Sequence, residues 1–116
     1  MAARIFILED SVLFAMALED ELRHRGYEVA SAGSLAAARA IISAELFAAA
    51  LLDLRLPDGH ALELARELCE RECAVALVTG LDQDQIDGNL AGLTVFSKPT
   101  NIGKLADWVD RRVAGP

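Results

Sequence analysis

Apolar residues along the chain fall into five short runs, separated by longer stretches in which they recur every three or four positions. The runs are Arg4 to Leu8, Tyr27 to Ala30, Ala48 to Leu52, Ala74 to Thr79 and Thr94 to Ser97, each of strand length. Between them, Ser11 is a plausible N-cap, and Leu13, Phe14, Ala17, Leu18 and Leu22 follow at helical spacing until Gly26. Ser34 opens an alanine-rich helix through about Leu46. His60 to Glu72 predicts a third helix, with Leu62, Leu64, Ala65 and Leu68 on its apolar side and Glu63, Arg66, Glu67, Glu70 and Arg71 toward water. Asp82 to Leu93 contains Gly88, Asn89 and Gly92, each poor inside a helix, so a fourth helix is expected to be short or frayed. Thr100 or Asn101 caps a last helix whose Ile102, Leu105, Val109 and Val113 share one face, with Trp108 beside them. Strands that alternate with helices in this way predict one α/β domain over residues 1–116, its parallel sheet covered on both faces.

The third run is apolar at every position, as a central parallel strand requires, and then ends in Asp53. Pro57, Asp58 and Gly59 stop it and force a turn, in which Asp58 is expected to serve. Glu9 and Asp10 follow the first strand, Thr79 and Gly80 close the fourth, and Lys98 and Pro99 follow the fifth. In a parallel sheet these strand ends share one edge, where open α/β sheets place their ligands. Glu9, Asp10 and Asp53 together would repel one another without a counter-ion, and an all-oxygen set suits Mg²⁺. A carboxylate held beside such an ion can attack phosphorus. Lys98 and Thr79 could then stabilise charge on the equatorial oxygens of a transferring phosphoryl group.

Composition narrows the function. Hydrophobic residues make up 53%, which disfavours disorder, and a net charge of −7 without clustered Lys and Arg argues against a nucleic-acid binder. Arg111 and Arg112 are expected to complement the dipole of the last helix. No stretch approaches the ~18 apolar residues of a membrane span, and no signal peptide opens the chain, so a cytoplasmic protein is expected. Cys69 and Cys73 lack a second pair and are read as reduced structural thiols. His24 and His60 are expected at the surface.

Glu9-Asp10, the stretch Leu52-Asp53-Leu54-Arg55-Leu56-Pro57-Asp58-Gly59, Thr79-Gly80 and Lys98-Pro99 together resemble the receiver (CheY-like) domain of two-component response regulators, in order and approximate spacing from Ile5 to Val113. The resemblance implies a flavodoxin-like, doubly wound five-stranded parallel sheet of order 2-1-3-4-5. It further implies Asp53 as phosphoacceptor, Mg²⁺ held by Glu9, Asp10, Asp53 and the Arg55 backbone carbonyl, and Thr79 and Lys98 engaging the phosphoryl group. Such a domain catalyses only its own phosphorylation and dephosphorylation. Implied partners are a sensor histidine kinase or phosphotransfer protein, a downstream protein or fused output domain, and a second copy in a homodimer, with no nucleic acid contacted through this domain.

Val95 stands where most receivers carry an aromatic residue, and Phe96, one position on, should face the other side of the sheet. With Thr79-Gly80 and the short glycine-containing segment, this resembles the subclass called FAT GUY receivers, although Leu81 replaces its usual Tyr. The segment from Leu81 to Gly92 is expected to be ordered or shifted by phosphorylation, and Arg55 and Leu81 to affect the approach of hydrolytic water. An unphosphorylated interaction module would be favoured had any of Glu9, Asp10, Asp53 or Lys98 been replaced. A phosphohydrolase of the haloacid dehalogenase type wants an acid at Arg55, and a dinucleotide enzyme wants glycines in Glu9-Asp10-Ser11.

Overall fold

The computed structural model describes residues 2–80 and 93–113. In chain order these form β1 (Arg4–Leu8), α1 (Val12–His24), β2 (Glu28–Ala32), α2 (Leu35–Ala44), β3 (Ala49–Asp53), β4 (Arg55–Leu56), β5 (Gly59–His60), α3 (Leu62–Glu70), β6 (Ala74–Thr79), β7 (Thr94–Ser97) and α4 (Ile102–Val113). The five longer strands make one parallel sheet in the order β2-β1-β3-β6-β7. With the two-residue strands β4 and β5 set aside, this is the expected 2-1-3-4-5. The expected fourth helix and Leu81 lie outside the described residues.

Period-two alternation divides the strands between two cores. Phe6, Leu8, Ala50, Leu52 and Leu77 pack with Ile42, Leu64 and Leu68 of α2 and α3. Ile5, Ile7, Ala49, Leu51, Ala76 and Val78 pack with Leu18 and Leu22 of α1 and Leu105, Trp108 and Val109 of α4. Each large side chain so enclosed contributes about 1.5–3 kcal/mol relative to exposure. With the sheet centre this dry, the buried polar residues among those described, Glu9, Asp53 and Thr79, lie at strand ends. Val95 joins the first core and Phe96 the second, where Phe96 meets Trp108 edge-on at 6.5 Å between ring centroids.

Several local expectations are corrected. On α1 the buried stripe is Ala15, Leu18 and Leu22, so Leu13 and Ala17 are turned to solvent; Leu13 is 82% exposed. His60 is not helical: Arg55 pairs with His60 and Leu56 with Gly59 in an antiparallel ribbon, and α3 starts only at Leu62. The Leu54 carbonyl accepts from the Ala61 N–H at 2.8 Å, closing the ribbon's base. Helix α3 ends before Glu72, which adopts φ 65°, and the Cys73 N–H reaches back to the Leu68 carbonyl at 3.0 Å, a common helix stop. The alanine-rich helix ends at Ala44 instead of continuing to Leu46, which is exposed. Ser11 and Ser34 do cap α1 and α2, accepting from Phe14 and Ala37. Of the two candidates at the last helix, Asn101 takes the Lys104 N–H.

Candidate functional site

Strand β1 hands the chain to Glu9, whose backbone N–H donates to the Ala32 carbonyl at 3.0 Å, continuing the pairing with β2. Its side chain turns inward and is buried; Oε2 accepts from the Ser11 N–H at 2.9 Å. Asp10, beside it, is exposed. Strand β3 ends in Asp53, buried next to Leu52, and β6 ends in Thr79, also buried. The Lys98 N–H donates to the Thr79 carbonyl at 2.8 Å, one residue past the end of β7, which sets Lys98 over the same edge.

Four strands thus bring together what the sequence holds far apart. Lys98 Nζ lies 3.1 Å from Asp53 Oδ2 and 3.3 Å from Glu9 Oε1. One carboxylate oxygen from each of Glu9, Asp10 and Asp53 falls within 4.8 Å of the others. Oxygen donors alone make up that set, which fits a hard, small divalent cation such as Mg²⁺ with water completing its shell. Beside the acids, a cavity of about 250 Å³ is lined by Asp53, Arg55, Thr79, Gly80 and Lys98. A groove of about 470 Å³ continues past Glu9, Ser11, Phe14, Lys98, Pro99 and Thr100.

Burial pushes the Glu9 carboxyl above its ordinary range, and neighbouring Asp10 and Asp53 add to this; the Ser11 N–H and Lys98 oppose it. For Lys98, burial acts to lower the ammonium, but the hydrogen bond and charge of Asp53, with Glu9, outweigh it and hold the group above its usual value. Lys98 is therefore charged at neutral pH, and the acids remain in electrostatic excess over it. A divalent cation would relieve that excess.

The predicted residues Glu9, Asp10, Asp53, Thr79 and Lys98 converge here, and Arg55 lines the cavity beside them. Asp58 sits in the turn, as expected, and also reaches out of it: its carboxylate accepts from the Leu35 and Ala36 N–H groups at 2.9 and 3.1 Å, and these bonds, with one from its own backbone amide, hold its pKa below the usual carboxylate range. Sequence reasoning also missed an exposed apolar patch of Val12, Leu13 and Met16 at the start of α1, 69%, 82% and 53% exposed. The available signal was that these three lie off the stripe through Leu18 and Leu22. His24 and His60 are exposed, and Cys69 and Cys73 are free thiols, exposed and buried respectively; burial pushes Cys73 up to about 12.

Residues 5–110 match the family model of the response regulator receiver domain. The chain belongs to that family. Receiver domains are modules of two-component signal transduction and are generally not enzymes in the ordinary sense. Among curated relatives, the transcriptional regulatory protein CrdR of Helicobacter pylori is 37% identical over 117 residues, a match covering 96% of this chain and 55% of CrdR. The chain spans about half the length of the curated relatives it matches. Among solved structures, a CheY-like receiver domain of Methanospirillum hungatei superposes with a TM-score of 0.86 at 26% identity, covering 98% of this chain and 95% of that one. The BeF3-activated receiver domain of DrrB, from Thermotoga maritima, gives 0.82 at 25% identity, covering 98% and 99%. No helix among the described residues is long and apolar enough to cross a membrane.

Proposed function

We propose that this receiver domain, a single unit over residues 1–116, accepts a phosphoryl group on Asp53 from a phosphohistidine donor and changes its protein contacts in response. The observation that carries the reading is the meeting of Asp53, Lys98 and two further acids at one sheet edge, with Lys98 at 3.1 Å and the acidic oxygens within 4.8 Å of one another. Glu9, Asp10, Asp53 and the Arg55 carbonyl would hold Mg²⁺, which when bound supplies positive charge against the phosphoryl oxygens. The DrrB neighbour's BeF3-activated state is consistent with a receiver of this shape responding to a phosphoryl mimic.

In the transfer, a carboxylate oxygen of Asp53 attacks phosphorus and a P–O bond forms. The P–N bond breaks, and the imidazole departs with its electron pair and takes a proton from solvent. Lys98, already 3.1 Å from Asp53, stabilises negative charge on the phosphoryl oxygens, and Thr79, across the cavity, offers its hydroxyl to them. Hydrolysis cleaves the acyl phosphate: water attacks phosphorus, the bond to the Asp53 carboxylate oxygen breaks, and inorganic phosphate leaves. Arg55, lining the cavity beside Asp53, stands on the path of that water.

The donor must bring its histidine to the cavity mouth, so Val12, Leu13 and Met16 together with the groove over Phe14 and Pro99 form the surface offered to a sensor kinase or phosphotransfer protein. A downstream protein, a fused output domain or a second copy receives the signal, and the reaction belongs in the cytoplasm. Borohydride reduction after incubation with acetyl phosphate and Mg²⁺ tests the assignment, because an acyl phosphate at Asp53 is converted to homoserine. Peptide mapping should find homoserine at position 53; modification at another carboxylate would overturn it.

A further inference from the structure

The hairpin that follows Asp53 is tied to the body of the domain at both ends. At its base the Leu54 N–H donates to the Val78 carbonyl at 3.3 Å and the Leu54 carbonyl accepts from Ala61 at 2.8 Å. At its tip the Asp58 carboxylate takes the Leu35 and Ala36 N–H groups, the first two of α2, at 2.9 and 3.1 Å. Ser34 takes only the third, Ala37, at 3.2 Å. Two of the first three amides of α2 are therefore capped from outside the helix, by a residue 22 to 23 positions later in the chain.

The approach is close as well as polar. Gly59 adopts φ 140°, and a Cβ there would meet the Leu35 Cδ1 at 2.9 Å. Leu56, on the opposite strand of the ribbon, is buried in the core against which Leu35 packs. The other side of the α2 entry is held by the first acid loop: Glu9 donates to Ala32, and a Cβ on Gly33 would lie 3.7 Å from the Glu9 carbonyl. Helix α2 thus begins in a seat built from the two loops that carry the acidic site.

We infer that Asp58 couples the phosphoacceptor loop to α2, so that occupancy of the Asp53 site is read out as a change in the order of the α2 N-terminus. The inference rests on the phosphoacceptor reading and extends it to a helix that touches none of the reacting groups. Two structural facts support it. The ribbon spans only Leu54 to Ala61 and is closed at its base by the Ala61 N–H bond to the Leu54 carbonyl, which ties Asp58 at the tip to the segment that leaves Asp53. Its contact with α2 is bidentate and replaces capping that the helix lacks on its own; linkage then requires that whatever fixes the ribbon also protects those amides. Asp58 is a positioning residue, outside the cluster that would meet phosphorus.

The test is amide exchange resolved by NMR on the whole chain, with Mg²⁺ alone and with Mg²⁺ and beryllofluoride. In the parent protein, exchange at Leu35 and Ala36 should slow about fivefold or more on adding the mimic. In Asp58→Ala this response should vanish while beryllofluoride still binds, as read by shifts at Thr79 and Lys98. Asp58→Glu, which keeps the acceptor oxygens, should recover part of it. A cap of merely structural worth predicts faster exchange in Asp58→Ala by the same factor with and without mimic, and no response in the parent; that result overturns the coupling. Retention of the full response in Asp58→Ala overturns it too. Failure of the parent to bind the mimic at all would count against the phosphoacceptor reading, and with it the inference.

Discussion

Replacing Lys98 by Met keeps most of the side chain's bulk and removes the cation that lies between two buried carboxylates. Glu9 and Asp53 side chains are 4% and 8% exposed, and Lys98 is 35% exposed. At 3.1 and 3.3 Å, and at the effective dielectric suited to protein sites, each pair has a gross attraction of about 5 kcal/mol, most of it offset by desolvation. Stranding buried charge typically costs about 3–5 kcal/mol, and the lysine's partial exposure brings the expected loss down to about 2–3 kcal/mol. Urea unfolding at neutral pH in EDTA should show that loss between parent and Lys98→Met. Repeating the pair of measurements in Mg²⁺ should shrink it, because a divalent ion among the same oxygens stabilises only the folded chain of either protein and does so more where the acids lack their lysine. A loss under about 0.5 kcal/mol in EDTA, or one indifferent to Mg²⁺, would refute this electrostatic picture of the site.

Other expectations follow from the same geometry. Asp58 has a folded-state pKa below its unfolded value, so its contribution should be fully present above about pH 3.9 and lost as pH falls through the folded pKa; the stability difference between parent and Asp58→Ala should close over that acid range, and a difference constant with pH would contradict it. Phe6→Ala removes a fully buried ring whose centroid is 5.3 Å from that of Phe47, and should cost about 3–5 kcal/mol in denaturant unfolding; a loss under about 1 kcal/mol would deny the ring its core position. Arg25 joins Glu21, Asp107 and Asp110 at 2.7 to 2.8 Å on the surface, so Arg25→Met should cost about 1 kcal/mol at low salt and little at high salt; a salt-independent loss would point to packing instead.

The elements and the acidic site were legible because each rests on local pattern. The strands β1, β6 and β7 have the bounds their apolar runs predict, and Ser11 and Ser34 cap as short polar residues before an apolar period should. The convergence of Glu9, Asp53, Thr79 and Lys98 followed from parallel topology alone, since any such sheet aligns the ends of its strands. The opposed packing of Val95 and Phe96 followed from the two-residue period. What was not legible depends on contacts between distant segments. His60 reads as helical by neighbourhood, and only its pairing with Arg55 across the ribbon removes it from α3. Asp58 reads as a turn residue, and its contact with α2 shows only once that helix is placed beside it. The rotation of α1 that buries Ala15 and exposes Leu13 is set by the sheet and by α4, whose Asp107 and Asp110 hold Arg25 across more than eighty residues of chain.

Phosphoryl transfer to Asp53 is read from intact mass at acidic pH after incubation with acetyl phosphate and Mg²⁺. The parent chain should gain the mass of one phosphoryl group, and neither Asp53→Asn nor the parent in EDTA should gain it. An equal gain in Asp53→Asn, or no gain in the parent from acetyl phosphate and from phosphorylated histidine kinases alike, would contradict the account.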